Sequence, residues 1–174
     1  EFLTNKIYIS TDKIMKLPNP IDVKDIKEKS LKLLDITLPD KYILFIGRLS
    51  YVKNLFLLLD AFERGKLDDN YLVIVGDGEM KDVLIEKTKK MNKVDKIMFL
   101  GEIENPLPIL KRSQLLVLPS FSEAYPTILL EALCLYIPVL STPTKGAKEI
   151  LNNMAGTYIS NDYYNIEEFA KLME

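Results

Sequence analysis

The sequence predicts a doubly wound α/β domain built on a single parallel sheet of about six strands. Three observations carry that prediction. Strand-length runs such as Tyr42–Ile46, Tyr71–Val75 and Leu115–Leu118 are apolar throughout instead of alternating, as a sheet covered on both faces requires. Segments with apolar residues at helical spacing separate these runs, which implies right-handed βαβ crossovers. The runs stop at Gly or Pro, and small, turn-forming and charged residues follow, on the rim where such sheets bind ligands.

In chain order, residues 1–22 read as irregular. They hold an alternating piece at positions 7–9, an apolar and basic stretch at 13–17, and the breaker Pro18-Asn19-Pro20, an extended connector. Asp22 is placed to cap a helix over residues 24–34, with Ile26, Leu31 and Leu34 on its apolar face. The strand Tyr42–Ile46 ends at Gly47 and precedes a helix over residues 53–63, whose Leu55, Leu58, Leu59 and Phe62 are spaced for one face. Tyr71–Val75 ends at Gly76 and leads into a helix over residues 79–91; a strand over 97–100 ends at Gly101 before a short helix over 107–111. Leu115–Leu118 ends at Pro119-Ser120, and a helix over residues 127–135 follows. Pro126 stands at its first helical position, where a missing N–H costs nothing. A strand at 138–141, a helix at 147–151, a weak strand at Thr157–Ile159 and a helix at 166–172 complete the pattern.

Composition narrows the function classes. With 174 residues, the chain can build one domain with a sizeable core. Its 48% hydrophobic and 28% charged residues are the balance of an ordinary water-soluble fold. A net charge of −2 argues against a broad nucleic-acid-binding surface. The lone cysteine, Cys134, has no internal disulfide partner, which favours a reducing, cytoplasmic compartment; it reads as a small buried hydrophobe. No apolar run approaches the ~20 residues of a membrane span and no signal peptide is visible. The chain opens on Glu1-Phe2 without Met and is expected to be an excised piece of a longer protein. It contains no histidine, so chemistry must use carboxylates, Lys/Arg and backbone amides, or a base supplied from elsewhere.

The rim carries three groups of interest. Residues 120–131 read S-F-S-E-A-Y-P-T-I-L-L-E, a strand end, polar loop and helix N-terminus where backbone N–H groups face an anion. Glu123 and Glu131 bracket it with seven residues between them. Glu123 on the loop can accept two hydroxyl hydrogen bonds from a sugar diol, and Glu131 suits another diol, such as a ribose. The residues leave open that either is a surface charge, or that Glu131 is a buried partner for Arg48 or Lys53. Gly47-Arg48-Leu49…Lys53-Asn54 places two cations at a helix N-terminus, a planar fork and a point charge that together suit a diphosphate. Solvated surface cations are the alternative. Gly76-Asp77-Gly78-Glu79 lacks the third glycine of a dinucleotide fingerprint, since Lys81 stands there, so an NAD site is rejected; a phosphate loop is also missing. No carboxylate spacing matches an EF-hand or a two-metal site, so no bound metal is expected.

From Pro18 to Gly156 the sequence resembles the C-terminal, donor-binding half of retaining GT-B glycosyltransferases of family four, the group 1 type. The resemblance rests on six pieces in order: Pro18-Asn19-Pro20-Ile21-Asp22; Phe45-Ile46-Gly47-Arg48-Leu49…Lys53-Asn54; Val75-Gly76-Asp77-Gly78-Glu79; Phe99-Leu100-Gly101; Pro119-Ser120…Glu123-Ala124-Tyr125-Pro126…Leu130-Glu131-Ala132; and Pro138-Val139…Gly146…Glu149-Ile150. It implies a Rossmann-like domain over residues 23–174, with residues 1–22 the remnant of a preceding acceptor domain and its connector. That acceptor domain is expected to be absent from this chain.

By the same resemblance, Arg48 and Lys53 hold the donor diphosphate and stabilise it as it leaves. Glu123 and Glu131 are the two glutamates of the E-x7-E motif, facing the donor sugar and the ribose. Amides around Ala124, Tyr125, Pro126 and Thr127 contact sugar and phosphate. Gly47 and Gly76 border the pocket, and Glu102 and Ile103 line the base. The family needs no metal, and in its retaining members the leaving phosphate accepts the acceptor's proton. The implied activity is transfer from a nucleoside-diphosphate sugar to a glycan or lipid-linked acceptor, with UDP favoured over GDP. The fragment alone is expected to bind donor and turn over little. It has no cofactor and no nucleic-acid partner, and membrane association at the cytoplasmic face would come through the absent domain. Many relatives carry Gly and Phe where Ala124 and Tyr125 stand, so the loop is expected to shift unless Ala124 keeps an ordinary φ. A sugar-nucleotide epimerase of the same architecture and a non-catalytic nucleotide-sugar-binding module are the alternatives.

Overall fold

Six parallel strands form one sheet in the order β3-β2-β1-β4-β5-β6. They are β1 (Tyr42–Ile46), β2 (Tyr71–Val75), β3 (Ile97–Gly101), β4 (Leu115–Leu118), β5 (Val139–Ser141) and β6 (Thr157–Ile159). The computed structural model describes residues 10, 13, 15, 17, 19–151 and 154–174. The alternating piece at positions 7–9 and most of the connector before Asn19 lie outside the described residues.

The four inner strands are the apolar ones. β1, β2, β4 and β5 are almost wholly buried, whereas the edge strands β3 and β6 are partly exposed. That gradient explains why residues 157–159 gave only a weak apolar signal: an edge strand has one neighbour and needs fewer apolar side chains. Among the described residues, seven α-helices connect and cover the sheet: α1 (Val23–Ser30), α2 (Leu55–Arg64), α3 (Lys81–Thr88), α4 (Leu107–Arg112), α5 (Thr127–Cys134), α6 (Lys145–Leu151) and α7 (Ile166–Met173). α7 returns to pack on α2, while α1 packs on α4 and α5. The core includes Tyr42, Phe45, Phe62 and Phe169, all fully buried. Burial pushes the Tyr42 phenol up to about 12, so its hydroxyl stays protonated and donates to the Ile109 carbonyl at 2.5 Å.

Several helix limits differ from the sequence expectation, each for a local reason. Asp22 caps α1 as expected, its carboxylate accepting from the Asp25 N–H at 3.0 Å. The helix nonetheless stops at Ser30, whose hydroxyl turns back to the Lys27 carbonyl, and Leu31 is left 69% exposed instead of on the apolar face. The helix expected from residue 53 starts at Leu55, because Asn54 takes a left-handed φ of 50° and Tyr51–Lys53 form a separate 3₁₀ turn. Pro126 is the residue before α5, with extended ψ of 107°, and not its first helical residue. The helix expected over 79–91 is regular only over Lys81–Thr88. Cys134 is half-buried and packs against the core.

Candidate functional site

The carboxyl ends of β1, β2 and β3 are zipped together beyond the strands themselves. The Gly47 N–H donates to the Val75 carbonyl (3.0 Å), Gly76 N–H to Gly101 O (2.7 Å) and Leu49 N–H to Asp77 O (2.8 Å). The approach is so close that a Cβ at Gly76 would lie 2.0 Å from the Gly47 carbonyl oxygen, and its φ of +132° disfavours any side chain. Above this floor lies a cavity of about 370 Å³ lined by Gly47, Arg48, Gly76, Asp77, Glu102 and Ile103, among others. Five of the residues singled out from sequence therefore share one cavity.

Lys53 and Glu123 meet elsewhere on the rim, where the loops after β1 and β4 adjoin. This is the switch point of the sheet, since β2 continues to one side of β1 and β4 lies on the other. The Lys53 ammonium donates to Glu123 Oε1 at 2.6 Å, and the buried Ser120 hydroxyl donates to the same oxygen at 2.6 Å. The Glu123 side chain is only 11% exposed, so this charge is held by two charge-assisted or buried bonds. Arg48 is paired differently, with Glu79 at 3.3 Å, and its side chain is 74% exposed and free to turn. The open question of Glu131 as a partner for either cation is answered: each cation pairs with another carboxylate.

The loop carrying Glu123 is clamped from behind. Gly146, at the start of α6, donates its N–H to the Glu123 carbonyl at 3.0 Å, and a Cβ there would meet Ala124 O at 2.7 Å. Ala124 is not among the described non-glycine residues with positive φ, which are Asn54 and Tyr136. Its backbone is ordinary, so alanine fits without strain. Tyr125 packs partly buried against the core and Pro126 precedes α5.

Thr127 and Glu131 line a separate hollow of about 240 Å³, shared with Ile21, Asp22, Asp25 and Ile26 of the α1 region. No hydrogen bond or ion pair to the Glu131 carboxyl is found among the described residues, and burial raises its pKa above the ordinary carboxylate range. A raised folded-state pKa gives stability that is present below the unfolded value of 4.5 and lost as pH rises through the folded value. Glu131→Gln, which cannot ionise, is therefore expected to gain stability over the natural protein on going from about pH 4 to about pH 7. Urea unfolding at both pH values measures this; an equal difference at the two would refute it.

Sequence reasoning missed the Glu79 partner of Arg48 and the Ser120 bond to Glu123. The only local signal was Ser120 standing three residues before Glu123 at a strand end. Among the described residues, no group of three or more Cys, Asp or Glu is arranged to hold a metal ion, and no helix is long and apolar enough to cross a membrane.

Known proteins resemble this chain in sequence and in fold. A Campylobacter jejuni N-acetylgalactosamine-N,N'-diacetylbacillosaminyl-diphospho-undecaprenol 4-alpha-N-acetylgalactosaminyltransferase is 36% identical over 154 residues, 88% of this chain and 41% of its own length. The Escherichia coli UDP-Gal:alpha-D-GlcNAc-diphosphoundecaprenol alpha-1,3-galactosyltransferase is 30% identical, over 88% of this chain and 42% of its own. The chain thus spans about two fifths of these relatives. A glycosyltransferase from Rickettsia africae superposes with a TM-score of 0.84 at 20% identity, over 99% of this chain and 49% of its own. Anabaena HepE, solved in complex with UDP, superposes with a TM-score of 0.68 at 19% identity, over 78% of this chain and 38% of its own. These two likenesses concern the fold, a Rossmann-like sheet matching GT-B glycosyltransferase structures. Residues 26–174 match the family described as Glycosyl transferases group 1, and the chain belongs to that family.

Proposed function

We propose that this chain is the donor-binding half of a retaining, metal-independent glycosyltransferase that moves a sugar from a nucleoside-diphosphate sugar, UDP-linked by preference, to a glycan or lipid-linked acceptor. Residues 23–174 form the donor domain, and residues 1–22 belong to the connector from an acceptor domain. The observation that carries the reading is the Lys53–Glu123–Ser120 cluster, a nearly buried ion pair at the sheet's switch point, on the same rim as the cavity bearing Arg48. Relatives named as transferases acting on diphospho-undecaprenol acceptors and a fold neighbour holding UDP support the substrate classes.

The geometry suggests how the groups would act. An incoming diphosphate competes with Glu123 for the Lys53 ammonium and with Glu79 for the Arg48 guanidinium. Exchange leaves Glu123, still held by Ser120, free to accept hydroxyl hydrogen bonds from the donor sugar. As the bond from the anomeric carbon to the diphosphate oxygen breaks, both cations face the charge that develops there, where fixed charge lowers the barrier most. On that same face the acceptor hydroxyl oxygen bonds to the anomeric carbon and gives its proton to a departing phosphate oxygen, which needs no histidine. Glu131 takes the ribose hydroxyls, and the backbone N–H groups of Ala124, Tyr125 and Thr127 around Pro126 the sugar and phosphate; Glu102 and Ile103 border the base.

Thermal unfolding with UDP, GDP and their sugars tests the reading. A ligand at about one hundred times its Kd stabilises by roughly 2.7 kcal/mol, a rise of roughly 5–10 °C in Tm for a domain of this size. UDP and UDP-sugars are expected to give the larger shifts. No shift with any nucleoside diphosphate would defeat the proposal.

A further inference from the structure

Lys53 carries its ammonium on a flexible four-carbon stem, so the place of that charge depends on what fixes the backbone beneath it. One tie is direct. The Phe121 N–H donates to the Val52 carbonyl at 2.8 Å, joining the loop after β4 to the 3₁₀ turn that bears Lys53. A turn held at one point can still pivot. The second tie comes from outside the site and runs through Asn54, which closes the turn with φ 50° and ψ 42°. Glycine takes this left-handed conformation at less cost. The asparagine is nonetheless buried, and its Nδ2 donates to the Tyr163 carbonyl at 3.1 Å, 109 positions along the chain. Tyr163 also reaches the other way, its hydroxyl donating to the Pro143 carbonyl at 3.0 Å. Pro143 belongs to the loop that backs Glu123. Beside it, the Thr142 hydroxyl donates to the Ser120 carbonyl, and the Gly146 N–H donates to the Glu123 carbonyl at 3.0 Å. One residue of the loop after β6 therefore braces both sides of the Lys53–Glu123 pair. The brace is itself fixed: Ser160 N–H donates to Ser141 O at 2.9 Å, Asp162 Oδ1 accepts from the Tyr164 and Asn165 N–H groups at 2.7 Å, and Glu168 Oε1 accepts from Asn161 N–H at 3.0 Å.

We propose that Asn54 and Tyr163 are positioning residues, which set the Lys53 ammonium against Glu123 and thereby against the diphosphate of an incoming donor. The diphosphate part rests on the transferase reading; the placing of Lys53 against Glu123 stands apart from it. Neither residue touches the reacting atoms, and each acts through Lys53. Glycine at position 54 would supply the same backbone with no amide to bury. What asparagine adds is the bond to Tyr163, without which a buried amide costs free energy. The precision matters because a cation meets a developing phosphate charge only within hydrogen-bond reach, and a misplacement on the order of 1 Å costs about 10²-fold. Lys53 also has two successive partners in this reading, first Glu123 and then the diphosphate, so its backbone must hold still while its side chain changes partner. A brace on the outer strand β6 does this without occupying the space the donor needs.

The test uses the full-length protein and two mild variants. Asn54→Gly keeps the left-handed backbone and loses the side-chain bond; Tyr163→Phe keeps the ring and loses the bond to Pro143. Ligand-observed NMR titrations with UDP and with uridine, which lacks phosphate, are read for each. The Kd for UDP is expected to rise about threefold to tenfold in both variants while that for uridine stays the same. In a Lys53→Ala background, Asn54→Gly is expected to cause no further loss of UDP affinity, since its effect passes through Lys53. Urea unfolding of Lys53→Ala, Glu123→Ala and the double variant, with and without Asn54→Gly, reads the coupling of the pair, which is expected to fall by about half or more when Asn54 is replaced. An unchanged Kd for UDP overturns the proposal. Equal weakening of UDP and uridine, or a UDP loss that persists without Lys53, overturns it too, because either means a tie that serves stability alone. Absence of UDP binding in the natural protein is a separate failure, that of the donor reading. The coupling then decides the positioning: a reduced value sustains it and an unchanged value overturns it.

Discussion

Replacing Lys53 by alanine in the full-length protein is expected to lower kcat/KM for sugar transfer by about 10²–10³-fold. Lys53 is one of two cations on the proposed diphosphate path, and unlike the exposed Arg48 it is held in a mostly dehydrated setting where its charge is weakly screened. The same change leaves Glu123 with the Ser120 hydroxyl as its remaining partner, in a site where its side chain is 11% exposed. Stability should fall by about 1–3 kcal/mol as a result. The two effects separate in the double variant Lys53→Ala/Glu123→Ala. Removing the stranded carboxylate restores most of the stability but none of the transfer, since the charge that meets the leaving group is still missing. Steady-state kinetics and urea unfolding of the three proteins read both. Transfer by Lys53→Ala within threefold of the natural protein would remove Lys53 from the mechanism.

Gly76→Ala is expected to destabilise the domain by about 3 kcal/mol or more, and to abolish the UDP thermal shift. The new Cβ would overlap the Gly47 carbonyl oxygen, a backbone atom that cannot swing aside. Gly47 is itself fixed by its N–H bond to Val75, and Arg48 follows it directly. Relief of the clash must therefore separate the ends of β1 and β2, which moves the cavity floor and Arg48 together. An unchanged urea midpoint would mean that this close approach is absent from the protein in solution.

How much of this was readable beforehand depends on the range of the interaction. Continuous apolar runs located the inner strands closely because burial on both faces is dictated by each strand's own composition; Tyr71–Val75 and Leu115–Leu118 coincide with the structure. Helix starts were less legible. Asn54 and Pro126 each sit just outside a helix for reasons of their own backbone angles, which apolar periodicity does not sense. The motif residues were readable as a set, but not their grouping. Gly47, Arg48, Gly76, Glu102 and Ile103 share a cavity, Lys53 turns away to Glu123, and Glu131 faces the α1 region.

By itself, then, the sequence determined a parallel sheet with a charged and glycine-rich rim, and a kinship carried by six ordered motifs. Local composition and spacing suffice for that, because each strand and each turn answers to its own residues. Only the tertiary structure decided which groups meet. Lys53 and Glu123 are 70 positions apart, Arg48 and Glu79 31, and Asn54 and Tyr163 109. Such pairings exist only once the strand order β3-β2-β1-β4-β5-β6 has brought those loops to one edge. A carboxylate's partner is then set by distance and burial in space, quantities that spacing along the chain does not contain.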